Sequence, residues 1–538
     1  MKPTLDQAVQ SESRQSPPPY GIIYNWDGAP RDYSEFPQSQ TQFLDKIFAP
    51  VAHTQVGALS WSMADHRASW PSKNLETEKG PAGVYDSVRH MRHTEGLWAA
   101  FDRGENPYQA MVDRGHDLGL HVYPSIRMND NHFWSTQTLN DMVDSGDPSF
   151  TQMRLDHPEW CLGENHAPGW CATSWNMAIP EVREYKLRLI TEACQQADWD
   201  GVELDWQRHA FHLPEHDEYR LQYTLTDLQR SIRSMSDDIA RQRGRPFHVT
   251  VRVASTMEGC RRVGYDVETW IRDGLCDIII PAGCSGTDPG VEIEAFKALA
   301  ANTPVQLYPS LDNANRQEAH RLMTHTEWQD EWNRVTAYGY WERGATGIYV
   351  FNWHANNHTR RSLLTTIGAT DTLRRTGKLY AAVHRTIAPK DSLRVNAERT
   401  DRLYGETPVA LYHTISADGP RFQIATHDNT VAAGKEGLIA NAELQIEVEH
   451  YSPTGDKLEV RWDGTALTHF AVRSATGTHE KVWLVFPLSE EQATQGEHEA
   501  QVLLLERDEH MRSQVVIWHV EVSIRYKKSR SSQTRHTQ

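Results

Sequence analysis

The chain has 538 residues, 24% of them charged and 38% apolar, which describes a folded polypeptide too long for one core and predicts two or three domains. A net charge of −17 argues against a nucleic-acid or anionic-membrane binder, and no apolar run reaches the length of about 18 residues that a membrane span needs. The 18 Trp and 27 His lean towards carbohydrate, because indole faces stack on sugar C–H surfaces and imidazoles bond hydroxyls.

Residues 1–19 are polar, lack the apolar core of a secretory leader and end in Pro17-Pro18-Pro19, so a disordered arm is expected. As written the chain reads as cytoplasmic, or as secreted or periplasmic if a leader has been removed. Strand-like runs then recur, each followed by helical material. They are Gly21-Ile-Ile-Tyr-Asn25, Val56-Gly-Ala-Leu-Ser-Trp61, His121-Val-Tyr-Pro-Ser-Ile126, Val202–Asp205, His248-Val-Thr-Val-Arg-Val253, Asp277-Ile-Ile-Ile-Pro281, Val305-Gln-Leu-Tyr308 and Gly347-Ile-Tyr-Val-Phe-Asn352. Before the fourth run, Pro180 opens a helical pattern in which Val182, Tyr185, Leu189, Ile190 and Ala193 share one face. Eight strands alternating with helices predict a (β/α)8 TIM barrel over residues 20–387. A doubly wound open sheet is the alternative, but no glycine-rich phosphate turn follows the first strand.

Residues 388–406 read as a polar linker. From 407 to 526 alternation dominates, as in Leu444-Gln-Ile-Glu-Val-Glu-His450, and turn residues such as Asp463-Gly464 separate the runs. This predicts a β-sandwich without helices, and a barrel that stays soluble when cut near Ala397. Residues 527–538 form a basic, Ser-rich tail expected to be disordered. Of the six Cys, Cys161 and Cys171 flank one loop and are candidates to pair; the others read as buried thiols.

Active sites of such barrels lie at the C-terminal ends of the strands. Here those ends are polar. The third strand runs into Arg127-Met-Asn-Asp-Asn-His132, and the fourth ends at Asp205 with Arg208 and His209 behind it. The fifth holds Arg252 and precedes Glu258, the seventh precedes Asp312, and the eighth ends in Asn352-Trp353-His354. On the fourth strand Glu203 and Asp205 share one face, Val202 and Leu204 the other. Two inward carboxylates are expensive unless they have a task. Asp205 is the first candidate carboxylate, its structural alternative being a cap on a following helix. Candidates for the second are Glu258, Glu203 and Asp312. Glu258 sits in a loop-like stretch and has a solvated alternative; Glu203 has a favoured alternative as an ion-pair partner of Arg252 or Arg127. The expected substrate contacts are Arg127, Asn129, His132, Arg208, His209, Arg252, Tyr308, Asn352 and His354, with Trp26, Trp61, Trp206 and Trp353 as stacking platforms or simply packed rings.

Glycoside cleavage needs two carboxyl groups, about 5–5.5 Å apart for retention and about 6.5–9.5 Å for inversion. No HxH, HExxH or CxxC pattern is present, so neither a metal nor another cofactor is expected. A non-catalytic sugar-binding barrel is the rival class and a metal-dependent hydrolase the third. The oligomeric state stays open.

As a set, Ile126-Arg-Met-Asn-Asp130, Pro180-Glu-Val-Arg-Glu-Tyr185, Asp200-Gly-Val-Glu-Leu-Asp205 and Gly264-Tyr-Asp-Val-Glu-Thr-Trp270, with Asp277 and Pro281, resemble the (β/α)8 glycosyl hydrolases called family-10-like. That resemblance spans roughly residues 20–385 and implies sugar hydrolysis. Gly201-Val-Glu-Leu-Asp-Trp-Gln-Arg-His209 also resembles the fourth-strand motif of the alpha-amylase clan, which would make Asp205 the nucleophile, although Glu203 stands where that motif has Arg. The same stretch is similar to the family-18 chitinase motif, whose acid Glu is replaced here by Gln207. A Gln cannot protonate a leaving group.

Overall fold

The computed structural model describes residues 15–26, 39–79, 85, 88–133, 135–147, 149–283, 287–288, 290–312, 326–353, 355, 358–382, 406–411, 418–475 and 480–527. Most of the expected N-terminal arm, the linker up to residue 405 and the tail from residue 528 lie outside the described residues. The chain divides into two compact units. The first holds the described residues of Met1–Asn313 and Arg343–Gly368. The second holds those of Ala314–Glu342, Ala369–Ile387 and Leu403–Gln538.

The first unit is built on parallel strands β1 (Ile22–Trp26), β2 (Val56–Ala64), β3 (His121–Arg127), β4 (Gly201–Asp205), β5 (His248–Ala254), β6 (Ile278–Ala282), β7 (Gln306–Leu307), β8 (Ser310–Asp312) and β9 (Ile348–Phe351). Their order is β7-β6-β5-β4-β3-β2-β1-β9-β8. The two edges are halves of one run interrupted at Tyr308-Pro309. Tyr308 N–H donates to the Ile279 carbonyl at 3.0 Å, and Tyr349 N–H donates to the Pro309 carbonyl at 3.1 Å. Residues 306–312 therefore pair with β6 on one side and β9 on the other, and the sheet closes into an eight-stranded (β/α)8 barrel. Pro309 has no N–H to give, which is why the run reads as two short strands. Each of the eight expected runs overlaps a strand, while β8 lies beyond the expected seventh run, which ends at Tyr308.

The barrel interior is filled by side chains such as Ile23, Tyr123, Ile278, Ile280 and Tyr349. β4 enters through Gly201, where a Cβ would meet the His248 carbonyl oxygen and, at 2.7 Å, the Tyr123 ring. The helix Pro180–Cys194 buries Val182, Tyr185, Leu189, Ile190 and Ala193, as the periodicity predicts.

The second unit carries two antiparallel sheets. One runs β10 (Lys378–Ala381), β19 (Val515–Tyr526), β13 (Ile439–Glu449), β17 (Lys481–Pro487), β16 (Ala471–Ser474), with β11 (Val409–Leu411) also on β19. The other runs β12 (Arg421–Thr426), β18 (Gly496–Glu506), β14 (Lys457–Trp462), β15 (Thr465–Leu467). Leu444, Ile446 and Val448 point into a core shared with Phe422, Val502 and Ile517. This is the expected sandwich, with two differences. It is not free of helix: Thr430–Lys435 is helical, started by the Asn429 side chain accepting from the Ala432 N–H at 2.9 Å. β10 comes from a stretch assigned above to the barrel. No described helix is long and apolar enough to cross a membrane.

Cys161 and Cys171 do not pair with each other. Cys161 packs with Met142 and Phe150, and Cys171 with Leu162, Trp170 and Phe211, so their side chains are drawn into separate apolar clusters.

Candidate active site

Alternation along β4 sends Val202 and Leu204 outward and the two carboxylates inward. Glu203 is 0% exposed. Its Oε1 accepts from Asn25 Nδ2 at 2.7 Å, Ser125 Oγ at 2.7 Å and Tyr349 Oη at 2.9 Å. Burial first, and the neighbouring Asp205 charge after it, raise its pKa. The expected ion pair between Glu203 and Arg252 or Arg127 is not formed. Arg252 reaches one layer higher, to Asp205, while Arg127 turns to Asp130 at 2.5 Å.

Asp205 is 1% exposed. Its Oδ1 accepts from Arg252 Nη1 and from the N–H groups of Gln207 and Arg208, each at 3.0 Å. Its Oδ2 is buried without a hydrogen-bond partner, as are both polar atoms of the Gln207 side chain. Asp205 thus caps a tight turn; the helix that follows begins only at Glu218. Arg252 lies over the Phe351 ring, 4.1 Å from its centroid, with Asp312 at 4.0 Å. Burial opposes its charge, but Asp205 foremost and then Tyr349 and Asp312 outweigh that and raise its pKa above the usual range.

Beside this, where β2 and β3 end, a cavity of about 210 Å3 is lined by Asp65, His66, Glu78, Asp130, His132 and Arg154, among others. Asp130 Oδ2 faces Arg127, and its Oδ1 lies 2.9 Å from both His132 Nδ1 and His209 Nδ1. Burial works against the Asp130 charge, but these partners, Arg127 first, hold its carboxyl well below the usual range. Glu78 goes the other way. Burial first, with Asp65 adding, pushes its carboxyl up to about 7 against the opposing pull of His90, 3.9 Å away. His209, buried beside Trp170, is lowered to about 4 by burial. Asp130, His132 and His209 bring three potential metal-ligating atoms within 4.8 Å of one another. Positive charge is already supplied there: Arg127 holds the other carboxylate oxygen, and Arg208 Nη2 donates to His132 Nε2 at 3.1 Å.

The remaining expected residues divide clearly. Asn129 is buried as a clamp, donating to the Trp175 carbonyl at 2.9 Å and accepting the Trp175 N–H at 3.0 Å. Trp61 is packed against Phe43 and stacks on the partly exposed Trp26 at 6.2 Å. Trp206 is enclosed by Trp270 and His212, and Trp353 donates to the Arg360 carbonyl at 2.9 Å, so neither is an open platform. Tyr308 lies at the opposite end of the barrel: its hydroxyl accepts the N–H of Tyr20, which precedes β1. Asn352 ends β9 in the left-handed region at φ 52°, and His354 lies outside the described residues. Glu258 is not on a loop. It sits in the first turn of the helix Met257–Arg262, its side chain 78% exposed and paired with Arg262 at 2.5 Å.

Glu78, Asp130, Arg154 and Lys186 were not singled out from sequence. Asp130 was legible, since it lies in the polar run after β3. Lys186 was too: it falls four residues after Val182 and four before Ile190, on the apolar face of its helix. Glu78 and Arg154 carry no such signal.

No family model matches the chain. No curated protein matches it either. Solved structures similar to it include the alpha-amylase from Geobacillus thermoleovorans complexed with acarbose, at 14% identity over 89% of this chain and 97% of that one, TM-score 0.37. The Anoxybacillus alpha-amylase matches at 13% identity over 94% and 99%, TM-score 0.36. The alpha-galactosidase from Geobacillus stearothermophilus complexed with stachyose matches at 11% identity over 89% of this chain, TM-score 0.36. The chain spans 58% of that alpha-galactosidase and 57% of a Paenibacillus cycloisomaltooligosaccharide glucanotransferase.

Proposed function

We propose that the protein is a glycoside hydrolase working at the C-terminal ends of β2–β5, with Asp205 as nucleophile or base. The observation that carries this reading is the Asp205 carboxylate itself. One oxygen is pinned by Arg252 and two backbone N–H groups, and the other is left without a partner at the end of a barrel strand. Such a group is held in place, with an oxygen left for an anomeric carbon or an attacking water.

The acid must hold a proton near working pH. Glu78 meets that requirement, lining the adjoining cavity with a carboxyl pushed up to about 7. Glu203 is the next candidate, raised by burial but sealed beneath Asp205. Glu258 and Asp312 rank below them: Glu258 is exposed and paired with Arg262, and Asp312 faces Arg252. The substrate is a carbohydrate, contacted by Arg127, His132, Arg208 and His209.

The test is turnover on a panel of glycans. Asp205→Asn is expected to lower kcat by several orders of magnitude with the fold intact, and near-native turnover would remove Asp205 from the mechanism. Loss of the acid is expected to hurt natural substrates far more than aryl glycosides with good leaving groups. If Glu78→Gln harms both classes equally while Glu203→Gln or Glu258→Gln shows the selective loss, the proton comes from that residue instead. The buried Gln207, where the chitinase-like motif has its acid, favours a second reading as a sugar-binding barrel; sugar binding with no turnover on any glycan would establish it.

A further inference from the structure

Arg154 lines the cavity at the ends of β2 and β3 but has no part in the acid–base chemistry proposed there. It is 1% exposed, with its guanidinium near the rings of Phe133 and Trp175, 5.5 and 5.1 Å from their centroids. Among the described residues no carboxylate lies within ion-pair distance of it, and its Nε has no hydrogen-bond partner. Its polar contact is Nη2 to His66 Nε2 at 2.9 Å.

Lys186 is buried on the other side of the same imidazole. Its Nζ donates to the carbonyl oxygens of Asp65 and, at 3.2 Å, Arg127, and lies 3.5 Å from His66 Nδ1. His66 Nε2 is also 2.7 Å from the Asp130 carbonyl oxygen. Burial, with Arg154 and Lys186 beside it, keeps His66 neutral. A neutral imidazole has one lone pair and one N–H. It accepts from Arg154 or from Lys186 and not from both. The nearby carboxylates do not make up the shortfall. Asp130 Oδ2 is held by Arg127 and its Oδ1 faces His132 and His209, and Asp65 Oδ1 accepts the N–H groups of His66 and Arg67. A guanidinium taken out of water without an anion is costly, so the cluster lacks an acceptor that a ligand can bring.

We infer that this cavity is an anion-binding subsite in which Arg154 takes a sulfate ester or a carboxylate carried by a sugar, which makes the glycan an acidic one. The planar guanidinium fork, with aromatic rings against it, matches the paired oxygens of either group. The cavity has the volume of about seven waters at roughly 30 Å3 each, enough for such a group. The inference rests on the hydrolase reading for calling the ligand a glycan, but binding is measured apart from turnover.

The experiment is calorimetric titration of the full chain with glucose 6-sulfate, glucuronate, glucose and inorganic sulfate. The better charged sugar is expected to bind at least about tenfold more tightly than glucose and to weaken as salt is added. Which charged sugar binds better distinguishes the ester from the carboxylate. Arg154→Lys, which keeps the charge and loses the fork, is expected to weaken that binding by about tenfold, and Arg154→Gln by more. Each variant is checked by its thermal melt; if neither folds, the wild-type series decides alone. Equal binding of charged and neutral sugars overturns the inference, as does unchanged affinity in a folded Arg154→Gln. Binding of inorganic sulfate without either charged sugar means an adventitious ion only and overturns it too. Hydrolysis of a neutral glycan without charged-sugar binding would sink this subsite and leave the hydrolase standing. Charged-sugar binding with no hydrolysis would do the reverse.

Discussion

Glu78 and Asp130 line one cavity and are driven in opposite directions, Glu78 up to about 7 and Asp130 well below the carboxylate range. Environments that push two carboxyl groups apart in this way can separate an acid from a base. The Glu78 shift also makes a stability statement. Its folded pKa lies above its unfolded one, so between about 4.5 and about 7 the folded state binds the extra proton. Its contribution is therefore full below about 4.5 and is lost as pH rises through about 7. Comparing the melting temperature of the wild type with that of Glu78→Gln from pH 4 to pH 8 tests this. The wild type should lose stability relative to the variant across that window, and parallel curves would mean that Glu78 is not perturbed. At the same scale, Arg252 shows what sequence leaves open. It was expected opposite Glu203 and instead holds Asp205, because strand register, which sequence does not state, places Asp205 beside Arg252 on neighbouring strands.

At the scale of elements, β10 and β19 in the second unit are tied by one buried carboxylate. Asp428 accepts from Lys378 Nζ at 2.8 Å, Tyr380 Oη at 2.6 Å and Tyr526 Oη at 2.6 Å. Lys378 and Asp428 are both buried, so removing one strands the other. Asp428→Ala is expected to cost about 3–5 kcal/mol in urea unfolding, the range for breaking a buried pair by removing one partner. A loss below about 1 kcal/mol would show that Lys378 finds water or another acceptor. The barrel strands were legible because each is a short apolar run with turns around it. β10 was not, because Lys378-Leu-Tyr-Ala381 has no local mark separating it from the barrel that precedes it in the chain.

For the whole molecule, the pattern break after Arg385 predicts a barrel that survives a cut near Ala397. Strand pairing argues otherwise. Such a cut removes β19 and Asp428, leaving β10 without its neighbour and Lys378 buried without its anion. Residues 1–397 alone are expected to aggregate or to melt well below the full chain, whereas a cut after Gly368 also removes β10 and should behave better. Size-exclusion chromatography of both decides it, and a monodisperse 1–397 would show that β10 does not depend on β19. Sequence by itself determined the alternation of strands and helices, hence the barrel, the all-β character of the later stretch, and the end of β4 as the place where carboxylates turn inward. Those follow from periodicity and chemistry local to a few residues. Only the tertiary structure decided that Asp205 pairs with Arg252, that Glu258 points to solvent, that Tyr308 belongs to the far end of the barrel, and that Glu78 and Arg154 share a cavity with Asp130. Each of these depends on which residues from distant parts of the chain meet when the sheet closes, and on how much water that meeting excludes.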